Sequence, residues 1–390
     1  MAYRIWLHPL SKVPGPPIYA ATDFFNQWSS NVKGTFPRQV TDLHRQYGSI
    51  VRVGPNRVAV DGSIGYPEVY ALRTKSKLEF PKVNNYISPK VSLTILGSSN
   101  EDHRRLRRQL GYAFSETALR EQGGIISQYV DMLIEQLSLR SQTGEAVDIV
   151  KWLNYTMFDI ISDLTFAESF NSLSSGNEHP YLQNHFAGVI GNGYQRFLTS
   201  YPYLKALFYL IIGPQELKDA LKYSEENFHI GEQKRQTRMQ LGPEPADGRR
   251  DFMTYMMRKT SDGSEGMSES EIRYNSPLLI AAGSETTASA LSFFFFIAGS
   301  NVAQKKILTE EIRSAFTDEA QIKVTSTGQL VYLQACIEET LRMFPPAAET
   351  PPRVSPGVEV DGQYLPAGVS AIMVLFPIVH RFTDLTGDRL

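Results

Sequence analysis

The feature that most constrains this chain is a long apolar segment, residues 277–299, with a polar centre. Ser276 and Pro277 are typical of a helix start, and Gly299 is typical of a helix end. The segment therefore predicts a helix of about 22 residues, roughly 33 Å long. Because polar residues interrupt the apolar run, which stays below about 18 residues, we predict a buried core helix and no transmembrane helix.

The polar centre has the sequence Ala282-Gly-Ser-Glu-Thr-Thr287. Its carboxylate and hydroxyl groups indicate a functional site. Burying Glu285 between small residues and hydroxyls is costly unless the carboxylate is used. Thr286 can donate a hydrogen bond to the carbonyl of Ala282, four residues earlier, and bend the helix locally. Gly283 would let a flat ligand approach the backbone. The alternative is a core helix that tolerates serine and threonine.

A second motif lies in Leu333–Pro346. Glu339 and Arg342 are three residues apart, so they share one face of a helix and can pair. Pro345 and Pro346 end that helix. The apolar surroundings predict that the pair is buried. A buried pair of this kind fixes the local structure more than it stabilises the fold.

Composition excludes several classes of protein. Apolar residues make up 42% of the 390 residues and charged residues 21%, as in ordinary globular chains. With 39 basic and 41 acidic residues, the chain has no overall field that attracts nucleic acid or anionic lipid. The single cysteine, Cys336, excludes an internal disulfide, and the first residues lack the apolar stretch of a signal peptide. We expect no nucleic-acid partner and no obligate oligomer.

Hydrophobic periodicity predicts a mostly α fold with small β-sheets near both ends, an α+β chain. A β-hairpin is predicted over Ile50–Val53 and Val58–Val60, helices over Ile125–Leu139 and Val150–Phe166, strands over Val354–Val360 and Val369–Val374, a loop over Leu241–Arg250 and an extended lead-in over His8–Pro17. The apolar run Ala206–Ile212 is either a core helix segment or a surface element that dips into a membrane.

With these motifs in order, the chain resembles the cytochromes P450, in particular the fungal microsomal type. The segment Ala282–Thr287 is similar to the family's oxygen-activating helix, and Glu339–Arg342 to its Glu-x-x-Arg helix. Further blocks that match in order are His8–Pro17, Tyr47–Asn56, Asn100–Arg108, Phe158–Phe166, Pro351–Arg353 and Val379–Arg381. The resemblance therefore runs from His8 to about Arg381.

The resemblance implies haem-dependent monooxygenation of a hydrophobic small molecule, in fungal secondary metabolism. It implies electrons from NADPH through a cytochrome P450 reductase as partner. Glu285 and Thr286 would be the catalytic residues that relay protons, while Ala282 and Gly283 would leave room beside the haem. The pair in the Glu-x-x-Arg helix, Glu339 with Arg342, would be structural.

The resemblance also implies cations for the haem propionates, namely His103, Arg107 and Arg353. His103 and Arg107 are four residues apart and can face one partner. The alternative for their arginine-rich segment is a solvated basic face. No separate metal site is predicted, because His179 and His185 have no third ligand near them in the sequence.

One family feature does not occur in these residues. A P450 iron takes a thiolate from a Phe-x-x-Gly-x-Arg-x-Cys-x-Gly loop. The only thiol, Cys336, lies in the helix of Glu339 and is predicted to be a packing residue, not the iron ligand. We therefore expect a C-terminally truncated gene product, or alternatively a non-catalytic remnant of a P450.

The predicted organisation follows from the same comparison. Residues 1–17 form a proline-rich lead-in after a missing membrane anchor, 18–381 a partial P450-like domain, and 382–390 a tail outside the family pattern. The full-length family would lie on the cytosolic face of the endoplasmic reticulum membrane, whereas this chain is expected to lack a transmembrane anchor.

Overall fold

A computed structural model describes residues 1–71, 78–83, 90–144, 146–243, 248–258 and 266–375. These residues form two compact units. Unit one comprises the described residues of Met1–Ser88, Ala187–Lys222 and Arg342–Leu390, and unit two those of Pro89–Phe186 and Tyr223–Leu341. The segments of the two units alternate along the chain, and the predicted boundaries at residues 17 and 381 stay predictions.

The chain is mostly helical, as predicted. The α-helices of the described residues are α1 (Pro17–Ala21), α2 (Phe24–Asn31), α3 (Phe36–Tyr47), α4 (Gly62–Gly65), α5 (Asn100–Gly111), α6 (Glu116–Ser141), α7 (Ile149–Phe166), α8 (Ser172–Ser175), α9 (Pro180–Ser200), α10 (Lys205–Ile212), α11 (Pro214–Gln240), α12 (Phe252–Met257), α13 (Glu269–Ser300), α14 (Val302–Ala315), α15 (Val324–Thr327) and α16 (Val331–Met343). The two helices predicted from periodicity lie within α6 and coincide with α7.

Unit one contains the β-sheets. The strands are β1 (Ile50–Gly54), β2 (Arg57–Val60), β3 (Arg353–Val354), β4 (Val358–Val360), β5 (Gln363–Leu365) and β6 (Ser370–Met373). The predicted hairpin is confirmed, because β1 and β2 pair antiparallel with Ile50 opposite Val60. A four-stranded sheet has the order β1-β2-β6-β3, with β2 and β6 parallel, while β4 and β5 form a separate hairpin.

The N-terminal lead-in differs from the extended chain predicted over His8–Pro17. The backbone N–H of Ser11 donates to the carbonyl of His8 at 2.7 Å, and that of Val13 to Leu10 at 3.1 Å. These turns place Leu10 and Val13 in the hydrophobic core of unit one. Burial of these two side chains outweighs the preference of the neighbouring prolines for extended backbone.

The short apolar run forms α10. Its Phe208 is buried and packs against Trp28 and Phe197, at ring-centroid distances of 6.3 and 5.5 Å. The prediction of a core helix segment therefore holds for this residue. Leu210 and Ile211, in contrast, are exposed, and a membrane-dipping role for them stays a prediction.

The long apolar helix starts earlier than predicted. The Oγ of Ser268 accepts from the backbone N–H of Glu271, whose side chain accepts from the N–H of Ser268 in a capping box. Pro277 consequently lies inside α13 and not in its first turn. The predicted cap, Ser276, is buried and donates to the carbonyl of Ile272 at 2.7 Å. The capping box satisfies two orphan N–H groups, which the Ser276–Pro277 start could not do.

Unit two contains a fully buried ion pair between Arg238 at the end of α11 and Asp251 before α12. Both side chains are 0% exposed. The guanidinium also donates to Thr254 at 2.9 Å, and Asp251 caps α12 by accepting from the N–H of Thr254. The pair therefore fixes the chain on both sides of the loop that follows α11.

We predict that Asp251→Ala lowers the free energy of unfolding by about 3–5 kcal/mol, because it leaves the Arg238 guanidinium buried without its carboxylate. Chemical denaturation measures the change. Asp42→Ala, which breaks the exposed Arg45–Asp42 pair, is the control and should change stability by less than about 1 kcal/mol. Equal effects of the two substitutions would contradict the buried pair.

Candidate functional site

Several hydroxyl groups in and near the polar centre of α13 donate hydrogen bonds within the helix. The Oγ1 of Thr286 donates to the carbonyl of Ala282, so the predicted back-bond is confirmed. Ser284 and Ser292 donate to the carbonyls four residues before them, at 2.8 and 2.7 Å. These bonds let an apolar helix carry hydroxyl groups without leaving buried donors unpaired.

Gly283 has a packing role that the sequence did not show. A Cβ at this position would lie 2.6 Å from the Cδ1 and Cγ1 of Ile161 on α7. The absence of a side chain therefore allows α7 and α13 to approach closely. We predicted that Gly283 leaves room for a flat ligand; on the side where a side chain would stand, its neighbour is α7. Its contact with a cofactor stays a prediction.

Glu285 is less buried than predicted, and it has a partner. Its side chain is 37% exposed, and its Oε2 lies 3.1 Å from the Nε2 of His185 on α9, whose side chain is 16% exposed. Sequence analysis considered His185 only as a metal ligand with His179. The two partners are 100 residues apart, so no local pattern connects them.

One face of α13 carries small residues and is open. Ala282 and Ser289 are exposed, and Thr286 between them is half-buried. At about 100° of rotation per residue, these three positions lie on the same side of the helix. The face is therefore free of bulky side chains where the predicted catalytic threonine stands.

The predicted cations of unit two lie on α5. Ser99 caps this helix by accepting from the N–H of Asp102. His103 is half-buried, while Arg107, one turn later, is exposed. Arg105, between them, pairs with Glu271 at the start of α13 and fixes α5 there. The role of His103 and Arg107 toward the haem propionates stays a prediction.

Arg353 lies in unit one and is paired in register with Lys82 by an isolated antiparallel bridge. Its guanidinium stacks over the ring of Tyr70 at 5.4 Å, and its buried Nε makes no hydrogen bond within the described residues. Burial, together with the charge of Arg353, lowers the pKa of Lys82 to about 8. The sequence analysis missed Lys82. Two half-buried cations and an unsatisfied N–H favour an anion here.

The Glu-x-x-Arg motif lies near the end of α16. Glu339 and Arg342 are half-buried rather than fully buried, and both take part in polar contacts. Cys336 is also half-buried in the same helix, and its carbonyl accepts from the hydroxyl of Thr340 at 2.7 Å. Burial raises the pKa of the Cys336 thiol. The family block Val379–Arg381 lies outside the described residues.

Comparison with known proteins decides the family. The family model "Cytochrome P450" matches residues 14–383, nearly the whole chain. The chain belongs to the cytochrome P450 family. The predicted resemblance from His8 to about Arg381 is thereby confirmed, and so is the mostly helical P450 fold.

Relatives of this P450 are fungal. A cytochrome P450 monooxygenase, astJ, of Aspergillus oryzae is 35% identical over 95% of this chain and 73% of the relative. A trichothecene C-4 hydroxylase of Trichoderma arundinaceum is 37% identical over 91% and 68%, respectively. An averantin hydroxylase of Dothistroma septosporum is 34% identical over 94% and 68%. These names support the predicted P450 monooxygenase class over the non-catalytic alternative.

Membership of the P450 family implies a haem cofactor. The described residues suit one part of the haem, its propionate groups. The unsatisfied Nε of Arg353 beside Lys82 suits a carboxylate such as a haem propionate. These residues do not supply the thiolate ligand of the iron, because the only cysteine of the sequence, Cys336, lies within α16. Among the described residues, no cluster of three histidine, cysteine or acidic side chains suits a separate metal ion.

By length and composition alone, α13 passes a test for membrane-spanning helices, which the sequence analysis did not expect. Mean hydropathy reaches 1.3 over its most apolar 18-residue window. Core helices of soluble proteins meet the same criterion, but they are mostly buried, whereas 17% of this window is buried, less than the prediction of a buried core helix requires. The contacts of Gly283 with Ile161 and of Glu285 with His185 are those of a helix packed in protein.

We predict that Gly283→Ala lowers the free energy of unfolding by about 1–3 kcal/mol, because the new methyl group meets Ile161. Gly124→Ala in α6 is the control: a Cβ there meets nothing within 4 Å, so stability should rise by about 0.5–1 kcal/mol. Adding Ile161→Val to the first variant should recover part of the loss. Equal stability of wild type and Gly283→Ala in denaturation would refute the close approach.

We also predict that residues 1–390, expressed alone, give no thiolate maximum in the carbon-monoxide difference spectrum of the reduced protein. Cys336 lies within α16 and not in the loop that supplies the thiolate of the family. Cys336→Ala should give the same spectrum and the same haem content. A thiolate maximum that disappears in this variant would instead identify Cys336 as the iron ligand.

Proposed function

We propose that this P450 hydroxylates a hydrophobic small molecule of fungal secondary metabolism. The names of two relatives, a trichothecene hydroxylase and an averantin hydroxylase, support this substrate class. The observation that carries the proposal is the Glu285–Thr286 pair at the middle of α13, beside an open face of small residues. A carboxylate next to a hydroxyl is suited to proton delivery.

Different residues of the chain would deliver protons and bind the haem. Haem, when bound, supplies the redox chemistry of oxygen activation. Glu285 would pass protons from solvent toward Thr286, because its carboxyl group is partly exposed. Thr286 donates its own hydroxyl proton to the carbonyl of Ala282, which leaves its oxygen lone pairs turned to accept a proton. Arg353 and Lys82 would bind a haem carboxylate.

The electron supply and location belong to the same proposal. Electrons would come from NADPH through a cytochrome P450 reductase, at the cytosolic face of the endoplasmic reticulum membrane. Membership of the P450 family supports a redox partner. The exposed apolar residues Leu207, Leu210 and Ile211 of α10 supply a surface that suits the membrane.

The alternative is a P450-derived protein that binds a lipophilic ligand without turnover. The names of the relatives count against it, because they are names of monooxygenases and hydroxylases. Catalysis by the main proposal requires a cysteine ligand that residues 1–390 do not supply outside α16. Product formation in a protein that carries the family's cysteine loop after these residues distinguishes the two functions.

In that haem-loaded protein, Thr286→Ala should uncouple NADPH use from hydroxylation, because one proton-relay group is lost. Product per NADPH should fall several-fold while hydrogen peroxide rises and NADPH consumption continues. Ser292→Ala is the control, because Ser292 makes the same back-bond in α13 without a neighbouring carboxylate. An unchanged product yield per NADPH in Thr286→Ala would remove Thr286 from the mechanism.

A further inference from the structure

The contact between Glu285 and His185 joins the predicted catalytic helix to α9. The Nε2 of His185 lies 3.1 Å from the Oε2 of Glu285, which is hydrogen-bond distance. The second carboxylate oxygen of Glu285 makes no hydrogen bond within the described residues. The two oxygens of this carboxylate are therefore not equivalent.

His185 is held in place by contacts that do not involve Glu285. Its imidazole stacks on the ring of Tyr181, one turn earlier in α9, with 8° between the planes and 6.4 Å between the centroids. Tyr181 is buried and stacks in turn on Phe158 of α7, at 5.3 Å. The orientation of the imidazole thus comes from the core of unit two.

The start of α9 is also tied to α11. The side chain of Asn184 donates to Glu226 at 3.2 Å, and that of Asn227 donates to the carbonyl of Tyr181 at 3.0 Å. Asn227 is buried, so this second bond resists exchange with water. The helix that carries His185 is consequently fixed to α11 in the turn that precedes the imidazole.

The carboxylate of Glu285, in contrast, is partly exposed, so that water can also donate hydrogen bonds to it. A carboxylate with this exposure would sample several rotamers, and an oriented N–H donor selects one of them. We propose that His185 is a positioning residue for Glu285: it donates its Nε2–H to Oε2 and leaves Oε1 as the oxygen that carries the proton. This inference rests on the proposed role of Glu285 in proton delivery.

Ring ¹⁵N spectra of the 390-residue chain with labelled histidines test the contact without haem. His185, assigned from the spectrum of His185→Gln, should show a protonated Nε2 whose proton exchanges slowly with water. Glu285→Ala should abolish this slow exchange, and Glu285→Gln, which keeps an acceptor oxygen, should restore it in part. If the first variant does not fold, Glu285→Asp withdraws the carboxylate by one methylene group and should give the same loss.

The matched control is a second histidine–glutamate pair. His229 and Glu225 lie one turn apart on α11, both exposed, with 3.9 Å between Nε2 and Oε1. Glu225→Ala should leave the signals of both histidines unchanged. A bare Nε2 on His185 in the wild type, or slow exchange that persists in Glu285→Ala, would overturn the proposal in favour of a histidine that only packs on Tyr181.

A second arm connects the contact to function. In the haem-loaded protein, His185→Leu should lower product per NADPH several-fold, His185→Gln should recover part of it, and His229→Leu should match the wild type. Unchanged coupling in His185→Leu would overturn the positioning role even where the spectra show the bond. A wild type without any product would count against the proposed function alone, because the ring spectra still decide whether His185 holds Glu285.

Discussion

The close contact between α7 and α13 sets the directions of the functional side chains on α13. Gly283 has no side chain, so Ile161 of α7 occupies the space where one would stand. Because an α-helix turns by about 100° per residue, this contact fixes the direction of each later position on α13. Glu285, about 200° away from the contact, faces α9, and Thr286 lies on the open face. The contact at Gly283 therefore sets the directions in which the Glu285 carboxylate and the Thr286 hydroxyl point.

Polar groups are possible in such an apolar helix because several of them have a defined partner and others are exposed to water. The hydroxyls of Ser284, Thr286 and Ser292 bond to carbonyls within the helix, which costs no tertiary contact. A carboxylate cannot do the same, because it has no proton to donate to a carbonyl when ionised. Glu285 must take its partner from another helix or from water, and the structure provides His185. The chemistry of the side chain thus explains why this site needs α9.

Local features of the fold could be predicted from the sequence, whereas features that depend on distant residues could not. The β1–β2 hairpin, α7 and the Thr286–Ala282 bond each depend on residues within one turn or one short loop. A serine before a proline is a strong local signal for a helix start, and it predicts the start of α13 at Ser276. The capping box at Ser268 satisfies more backbone groups and prevails. His185 escaped prediction because its role requires α9 to lie beside α13.

Lys82 also could not be predicted from the sequence, because its role depends on the distant Arg353. The pair of cations indicates that an anion binds here. A lysine beside an arginine in a half-buried bridge repels it, and both lose hydration; Glu79 offsets only part of this cost at Arg353. Local costs of this kind are typical of functional positions. An anion beside the unsatisfied Nε of Arg353 would be attracted by the charges of both Arg353 and Lys82. The electrostatic energy of the pair would then become favourable.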